Sequence, residues 1–265
     1  MTAQTATLAF RDSRFLRILP LTNMKLLVIS DLHSNWPALL AVTKREQDVD
    51  GVLCLGDLVN YGPHPVQCVE WVQDNVRPNW IVQGNHDHAL GRDDDPRCSA
   101  PYRALAAAMQ HYTASQLAVA AKEYLANLRR CVMHNVEGTR VYLCHAVPSD
   151  HLYGYVQPDD TTRWERECEL IGRPDFLFVG HTHRPFTRQI GKTTVVNPGS
   201  VGQPKDGDSR ASYAIWHDGK VTLHRVAYDI AAVTHDLAAC MSPKISIPLS
   251  GVLLTGGHFS PAASA

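Results

Sequence analysis

Histidine, aspartate and asparagine residues follow a series of short apolar runs in this chain. The runs have the length of buried strands, and the ends of strands in an open α/β sheet are where ligands and reactive groups collect. Imidazole nitrogens, carboxylate oxygens and amide oxygens together suit borderline or hard divalent cations. The pattern therefore predicts a metal site. The motifs are Asp31-Leu32-His33, Gly56-Asp57, Gly84-Asn85-His86-Asp87, Cys144-His145, Gly180-His181-Thr182-His183 and Asn197-Pro198-Gly199-Ser200.

Each motif taken alone has an ordinary structural explanation. Asp57 could cap the turn after a strand, Gly84-Asn85 is a turn signal, and His145 could be a hydrogen-bonded core residue. That explanation would have to hold at six strand ends in one chain, which favours the metal site. Asp57 could bridge two cations because a carboxylate has two oxygens. Residues 197–202 offer no strong ligand and are predicted to be structural.

The elements that must position these motifs alternate between strands and helices. Strand-like KLLVIS (25–30), GVLCL (51–55) and WIVQ (80–83) are separated by helices that begin near Pro37 and Pro65. Such β–loop–α repeats indicate a layered α/β fold with parallel strand pairing. Asp31 and His33 are two residues apart, so a strand would place both side chains on one face.

Residues 99–130 interrupt this alternation. They are rich in Ala, Leu and Gln, which predicts two helices at 100–111 and 114–129 and makes the segment a candidate insertion beside the site. A helix at 161–171 is predicted to begin with a capping box of Thr162 and Glu165. Asp218-Gly219 predicts a hairpin. The later strands are CVMHN, RVYLC, FLFV, TTVVN, SYAIW and KVTLHRV.

The composition fits one domain without a membrane or bulk nucleic-acid surface. The 265 residues are 45% hydrophobic and carry a formal net charge of −1, which gives no electrostatic case for nucleic-acid binding. No apolar stretch reaches the length of a membrane span. The seven cysteines are scattered, without a CxxC pair, which favours a reducing cytoplasm.

The ends of the chain differ in composition from its middle. Residues 1–23 lack an apolar core of signal-peptide length and are predicted to be a disordered extension. Residues 24–241 are predicted to form the domain. From residue 242 the chain turns to Pro, Gly, Ser and Ala, so 242–265 is predicted to be a loosely held tail.

The ordered set Asp-x-His, Gly-Asp, Gly-Asn-His-Asp, His and Gly-His-Thr-His resembles the calcineurin-like metallophosphoesterase superfamily, from about residue 25 to 229. The stretch from Asn197 to Tyr213 resembles its compact prokaryotic phosphodiesterase branch. The resemblance implies a four-layer αββα sandwich with two metal ions at the carboxyl ends of the strands. It implies that one ion is held by Asp31, His33, Asp57 and His183, and the other by Asp57, Asn85, His145 and His181.

The expected reaction is hydrolysis of a phosphoester, with a metal-bridging hydroxide as nucleophile. His86 is expected to protonate the leaving group or stabilise phosphoryl charge, with Asp87 orienting its ring. A phosphodiester, carried by a small molecule or nucleotide, is the favoured substrate. The alternatives are a protein Ser/Thr phosphatase, a nucleotidase, a dinucleoside polyphosphate hydrolase and a non-catalytic scaffold. Mn²⁺ is the favoured ion, with Fe²⁺, Ni²⁺ and Zn²⁺ as alternatives.

Other polar residues near the motifs are weaker candidates. The acidic run Asp93-Asp94-Asp95 is predicted to be solvated and is assigned no ligand role. Five residues could line the substrate pocket because each is close in sequence to a motif. They are Tyr61, His64, His151, Arg184 and Lys205.

Overall fold

Two mixed β-sheets lie face to face in this protein, with helices on both outer surfaces. The computed structural model describes residues 24–136 and 138–257, so the predicted extension 1–23 lies outside the described residues. The elements in chain order are β1 (Lys25–Ile29), α1 (Trp36–Arg45), β2 (Gly51–Cys54), α2 (Pro65–Asn75), α3 (Asn85–Arg92), α4 (Ala100–Gln116), α5 (Val119–Asn127), β3 (Cys131–Val136), β4 (Thr139–Cys144), α6 (Thr161–Leu170), β5 (Phe176–Phe178), β6 (Phe186–Ile190), β7 (Thr193–Asn197), β8 (Ala211–His217), β9 (Lys220–Val226), α7 (Ile230–Cys240) and α8 (Pro243–Thr255).

The strand order brings the candidate motifs to the ends of parallel strands. The first sheet has the order β2-β1-β8-β9, in which β1 and β2 are parallel. The second has the order β3-β4-β5-β7-β6, in which β4, β5 and β7 are parallel. The motif-bearing loops follow β1, β2, β4 and β5. The carboxyl ends of these strands therefore form the floor of one site, as the resemblance implied.

Side-chain alternation in β5 shows how the four layers pack. Phe176 and Phe178 face the first sheet, where their rings lie 5.0 and 5.6 Å from that of Trp216. Leu177 faces the opposite way and joins a second apolar cluster with Trp164 of α6. Helices α1 and α2 cover the outer face of the first sheet. The predicted αββα sandwich is confirmed.

Two edge segments differ from the sequence prediction. The predicted strand WIVQ makes only an isolated bridge between Ile81 and Cys54. The N–H of Val82 donates to the Cys54 carbonyl (3.0 Å), but the next N–H on that side, that of Gly84, donates to the Asp87 carboxylate (3.0 Å), which ends the pairing. Strand β6 was not predicted. It lies at a sheet edge with its middle residues exposed, so its sequence lacks the apolar alternation of a half-buried strand.

The ends of α4 and α5 and the cap of α6 also differ from the sequence prediction. Helix α4 extends to Gln116 rather than ending near 111, and α5 ends at Asn127. The capping box predicted for α6 does not form, because Asp160 caps the helix by accepting from the N–H of Arg163 (3.0 Å). The Asp218-Gly219 hairpin forms between β8 and β9, with positive φ at both residues.

The predicted loose tail is wrong as far as Thr255. Helix α8 packs with α4 and α7 in a third apolar cluster, which we call the helical cluster; its buried members are Tyr61, Leu105, Ala106, Met109, Val233, Leu237, Leu249 and Leu253. Pro243 is compatible with this helix because it stands in the first turn, whereas Pro248 lies inside the helix. Within the described residues, no helix combines the length and apolar character needed to cross a membrane.

The packing of α8 can be tested by comparing two of its apolar residues. Leu249 is 1% exposed and Ile247 is 62% exposed. Leu249→Ala should reduce the free energy of unfolding in urea by about 2–5 kcal/mol through cavity formation, whereas Ile247→Ala should change it by less than about 0.5 kcal/mol. Equal, small effects of both substitutions would contradict the docking of α8.

Candidate metal centre

The predicted ligands lie on loops whose backbone is left-handed at several non-glycine residues. Asp31 and His33 do not share a strand face, because β1 ends at Ile29. Their side chains converge because of positive φ, a conformation that costs free energy in residues with a Cβ. Five predicted ligands have such φ values: Asp31 54°, His33 44°, Asp57 54°, His181 64° and His183 58°.

Backbone hydrogen bonds join the first two of these loops. The N–H of Asp31 donates to the Gly56 carbonyl and that of His33 to the Asp57 carbonyl, both at 3.0 Å. Gly56 also lies against Gly84, where an added Cβ would be 2.4 Å from the Gly84 nitrogen. The close approach of these glycines lets the loops after β1 and β2 meet the N-terminus of α3.

Asp57 is fixed on several sides. Its N–H donates to Asp87 (2.8 Å), its carbonyl accepts from His33, and its Oδ1 accepts from the N–H of His86 (2.9 Å). Its Oδ2 remains directed at two imidazoles, 3.7 Å from Nε2 of His33 and 3.3 Å from Nε2 of His145. One carboxylate thus faces two groups of donors.

The first donor group brings together Asp31, His33, Asp57 and His183, all buried. Each offers a ligand atom, and these atoms lie within 4.8 Å of one another. Nε2 of His183 is 3.1 Å from Nε2 of His33 and 3.3 Å from Oδ1 of Asp31. This spacing matches a set of ligands that surround one ion.

The second donor group shares Asp57 with the first and adds His145 and His181. Oδ1 of Asn85 lies 3.1 Å from Nε2 of His145. The rings of His145 and His181 are 5.1 Å apart. The structure therefore brings the seven predicted ligand residues together in two groups that share one carboxylate.

The hydrogen-bond partners of three imidazole rings show which ring nitrogen of each is free to bind a cation. Because a carbonyl oxygen only accepts, an Nδ1 bonded to it carries the proton and leaves a lone pair on Nε2. The three pairs are His33 with Val59 (3.1 Å), His183 with Gln203 (2.6 Å) and His145 with Leu55 (2.7 Å).

These lone pairs need a positive partner. Those on His33 and His183 face each other, and Oδ1 of Asp31 and Nε2 of His181 are buried without a hydrogen-bond partner. A cation in the first donor group would satisfy the atoms of Asp31, His33 and His183, and a cation in the second would satisfy Nε2 of His181. Burying these acceptors unpaired is costly. The residues present therefore fit divalent ions.

The carboxylates attract positive charge in this pocket. Burial would raise the pKa of Asp31 and of Asp57, but the neighbouring histidines hold both well below the usual range. Burial would lower the pKa of His145, yet Asp57 and Asp31 raise it to about 9. A proton on His145 and a metal ion compete for the same Nε2.

The predicted role of Asp87 is wrong. Its carboxylate does not orient His86 but accepts from three backbone N–H groups, those of Asp57 (2.8 Å), Leu58 (2.8 Å) and Gly84 (3.0 Å). Burial and the charge of Asp57 raise the pKa of Asp87 to about 7, against the effect of these donors. Asp87 thus holds the loop that carries Asp57.

Asn60 takes the place that was predicted for Asp87. Its Nδ2 donates to Nδ1 of His86 (2.8 Å), and its Oδ1 accepts from the N–H of Tyr61 (3.0 Å). The neutral His86 ring therefore carries its proton on Nε2, which lies 3.6 Å from Sγ of Cys98. Burial lowers the pKa of His86 to about 4. Sequence reasoning missed Asn60, although an asparagine between strands often marks left-handed backbone (here φ 75°).

The five weaker pocket candidates divide into two groups. His64 pairs with Asp236 of α7 (2.9 Å) and His151 with Tyr142 (2.9 Å), so neither ring is directed to the metal centre. Tyr61, Arg184 and Lys205 lie beside it. The ring of Tyr61 is 5.0 Å from that of His33 and 4.8 Å from that of His86; Arg184 bonds to the Lys205 carbonyl.

The motif at residues 197–200 supports the ligand-bearing loops, and the acidic run 93–95 lies away from them. Nδ2 of Asn197 donates to the Gly180 carbonyl (2.7 Å), and Oγ of Ser200 donates to the Asp31 carbonyl (2.8 Å). These bonds position ligand-bearing loops without offering ligands. The acidic run 93–95 is exposed, outside both donor groups.

Tyr155 is a further aromatic residue that the sequence did not single out. It is 61% exposed, and its ring lies 4.5 Å from that of His181. An exposed aromatic ring at the edge of a polar site offers a surface for an apolar or aromatic part of a ligand.

A two-sheet sandwich with a buried Asp/His centre at its strand ends is the architecture of a metal-dependent phosphoesterase. The chain belongs to the calcineurin-like phosphoesterase superfamily, whose domain model matches residues 24–218. The match includes every residue of both donor groups. Family membership makes the protein a hydrolytic phosphoesterase with a divalent-metal site.

Individual relatives agree with this assignment. An uncharacterized protein of Methanocaldococcus jannaschii is 33% identical over 224 residues, which cover 77% of this chain and 87% of that protein. Phosphodiesterase YfcE of Escherichia coli K12 is 25% identical over 202 residues, 72% of this chain and 86% of its own. This chain is also similar to the crystal structure of a metallophosphoesterase from Sphaerobacter thermophilus, with 31% sequence identity and a TM-score of 0.71. The alignment covers 88% of this chain and 99% of that protein.

The structural role of Asp87 can be tested by Asp87→Asn. An amide has one acceptor oxygen and cannot satisfy three N–H donors arranged around two oxygens. The free energy of unfolding should therefore fall by about 1–3 kcal/mol. Because the Asp57 loop would shift, metal affinity measured by calorimetric titration should fall about 10- to 100-fold. Asp93→Asn, at an exposed position beyond the opposite, C-terminal end of the same helix, is the control. Unchanged metal affinity in Asp87→Asn would exclude the proposed role.

Proposed function

We propose that this phosphoesterase is a phosphodiesterase that works with two divalent metal ions. The observation that carries the proposal is the Asp57 carboxylate, whose free oxygen faces both donor groups. One ion would be held by Asp31, His33, Asp57 and His183, and the other by Asp57, Asn85, His145 and His181. Two ions that share the Asp57 carboxylate would supply an activated water as nucleophile and would polarise the phosphoryl oxygens.

His86 is the proposed catalytic side chain beside the metal ligands. Because Asn60 donates to its Nδ1, the neutral ring presents an Nε2–H donor. That N–H would stabilise charge on a phosphoryl or leaving-group oxygen as the ester bond breaks. Asn60, itself bonded to the Ala106 carbonyl of α4 (3.3 Å), is a positioning residue.

The proposed ions are argued from ligand chemistry and the proposed compartment from the cysteines. We favour Mn²⁺, with Fe²⁺, Ni²⁺ or Zn²⁺ as alternatives, because carboxylate, amide and imidazole ligands occur together. A cytoplasmic location is supported by the seven cysteines, all of which are free thiols. The substrate is proposed to be a small molecule or nucleotide.

A phosphodiester is favoured because YfcE, a relative with that activity in its name, shares most of the domain. The ligand set alone does not separate diesters from monoesters, because the ions contact only the phosphoryl group. With Mn²⁺, we expect a higher kcat/KM for bis(p-nitrophenyl) phosphate than for p-nitrophenyl phosphate. Preference for the monoester would favour a phosphatase, and absence of both metal binding and activity would favour a scaffold.

The role of His86 can be tested by His86→Ala. We expect kcat to fall about 10²- to 10⁴-fold, the usual contribution of a positioned proton donor. The metal content should remain at the wild-type level because His86 belongs to neither donor group. His88→Ala, on the same helix but only partly buried, is the matched control and should retain activity. Wild-type turnover in His86→Ala would show that the ring has no catalytic role.

A further inference from the structure

Lys205 is tied to the metal centre through its backbone. Its N–H donates to the carbonyl of His183 (3.3 Å), and its own carbonyl accepts from Nε of Arg184 (3.1 Å). The lysine is therefore held beside the ligand-bearing loop although it lies 22 positions farther along the chain than His183. Its side chain is partly buried.

The ammonium of Lys205 lies on the side of the centre where His86 is found. Nζ is 4.8 Å from the ring of Tyr102 and 6.0 Å from that of Tyr61. Tyr61 is packed in turn against His86, at 4.8 Å between rings. Because Tyr102 belongs to α4, the helical insertion forms part of this wall of the site.

The end of α8 supports the Lys205 loop from behind. An added Cβ on Gly257 would lie 2.4 Å from Cα of Lys205, so the two backbones are in close contact. The N–H of Gly207 donates to the Gly256 carbonyl (2.8 Å). The position of the lysine is therefore set before any ligand arrives, which reduces the entropy lost on binding.

Lys205 lacks a counter-charge of its own. Within residues 24–136 and 138–257, no carboxylate forms an ion pair with its ammonium. The carboxylates that stabilise it at longer range are Asp31 and Asp57, which already serve the donor groups, and burial lowers its pKa. A buried, unpaired charge is costly unless an anion binds it.

We propose that Lys205 is a specificity residue that binds a second negative charge of the substrate. This inference rests on the two-metal function proposed above. Two divalent ions, the Asp31 and Asp57 carboxylates, a hydroxide nucleophile and a singly charged diester already balance in charge. The ammonium adds one positive charge beside His86, and a substrate with two negative charges would neutralise it.

Two substrates share this chemistry. The second charge can be another ionised oxygen on the same phosphorus, as in a monoester, or a neighbouring phosphate, as in a dinucleoside polyphosphate. Either would place an anionic oxygen within reach of the ammonium, next to the aromatic rings. The experiment below separates these two sources.

The test compares Lys205→Met and Lys205→Arg on three substrates with Mn²⁺. Bis(p-nitrophenyl) phosphate carries one charge, p-nitrophenyl phosphate carries two on one phosphorus, and diadenosine tetraphosphate carries its further charges on neighbouring phosphates. Lys205→Met should lower kcat/KM about 10- to 100-fold for at least one multiply charged substrate, the effect of losing a charged hydrogen bond. The singly charged diester should change less than threefold, and Lys205→Arg should retain most of the wild-type preference.

Matched controls separate specificity from a structural effect. Lys192→Met removes an exposed lysine and should leave all three reactions unchanged. Melting temperature and metal stoichiometry should be the same in every variant. Calorimetric binding of a methylene-bridged, non-hydrolysable dinucleoside polyphosphate gives a readout that does not need turnover.

Each outcome decides a different question. A loss confined to the monoester or to the polyphosphate supports the inference and names the source of the second charge. Equal losses on all substrates, or none on any, would overturn it. If the wild-type protein prefers the monoester, the diester preference proposed above fails while the role of Lys205 can still hold. If it hydrolyses none of the three, the proposed function fails altogether. The role of Lys205 is then judged by calorimetry, where binding unchanged in Lys205→Met would exclude it.

Discussion

The position of one carboxylate, that of Asp57, determines how the rest of the centre is built. Its backbone N–H, its carbonyl and its Oδ1 are each engaged by another loop, and only Oδ2 is left to face the imidazoles. The three bonds come from the loop after β1 and from the first turn of α3. A shift in either would turn Oδ2 away from one donor group. The buried Asp87, which holds the Asp57 loop from beneath, is therefore needed for the metal centre although it is not directed at it.

Such a centre requires backbone conformations that are unfavourable in isolation. Five of the seven ligand residues have positive φ, and none of them is glycine. The free energy stored there, about 1–3 kcal/mol for each such residue, must be offset by the sandwich beneath. The offset comes from the parallel strands, whose ends bring the loops together, and from the fully buried apolar residues of β1, β2 and β5. Bound cations would add to it by satisfying the buried lone pairs of His33 and His183.

Sequence reasoning selected, by type and place, the residues that the structure brings together in two donor groups, and it failed where local geometry decides. Seven donors at strand ends were identifiable because metal chemistry limits which side chains can bind. The i, i+2 argument for Asp31 and His33 assumed that both side chains share one face of a strand. They converge instead because both residues have left-handed backbone, which only a three-dimensional structure reveals. The pairing of His86 with Asn60 rather than with Asp87 could not be read from adjacency in the chain. Helix α8 was missed because its prolines, serines and glycine suggested a loose tail, although six of its thirteen residues are Ile, Leu or Val and several of these pack against α4 and α7.

The helical cluster includes helices that follow the part of the chain matched by the family domain. The family match ends at residue 218, before α7 and α8 begin. Yet α8 contacts the backbone at Lys205, and the cluster buries Tyr61 against α4. The sandwich thus positions the two donor groups, whereas α4, α7 and α8 position Lys205, Tyr61 and Tyr102 beside them. Substitutions in the helical cluster should then act on substrate preference before they act on metal binding. The positions of the donor groups should not change, because their loops are held by one another and by the sheets. The positions of Lys205, Tyr61 and Tyr102 should change, because these residues are supported by the helical cluster.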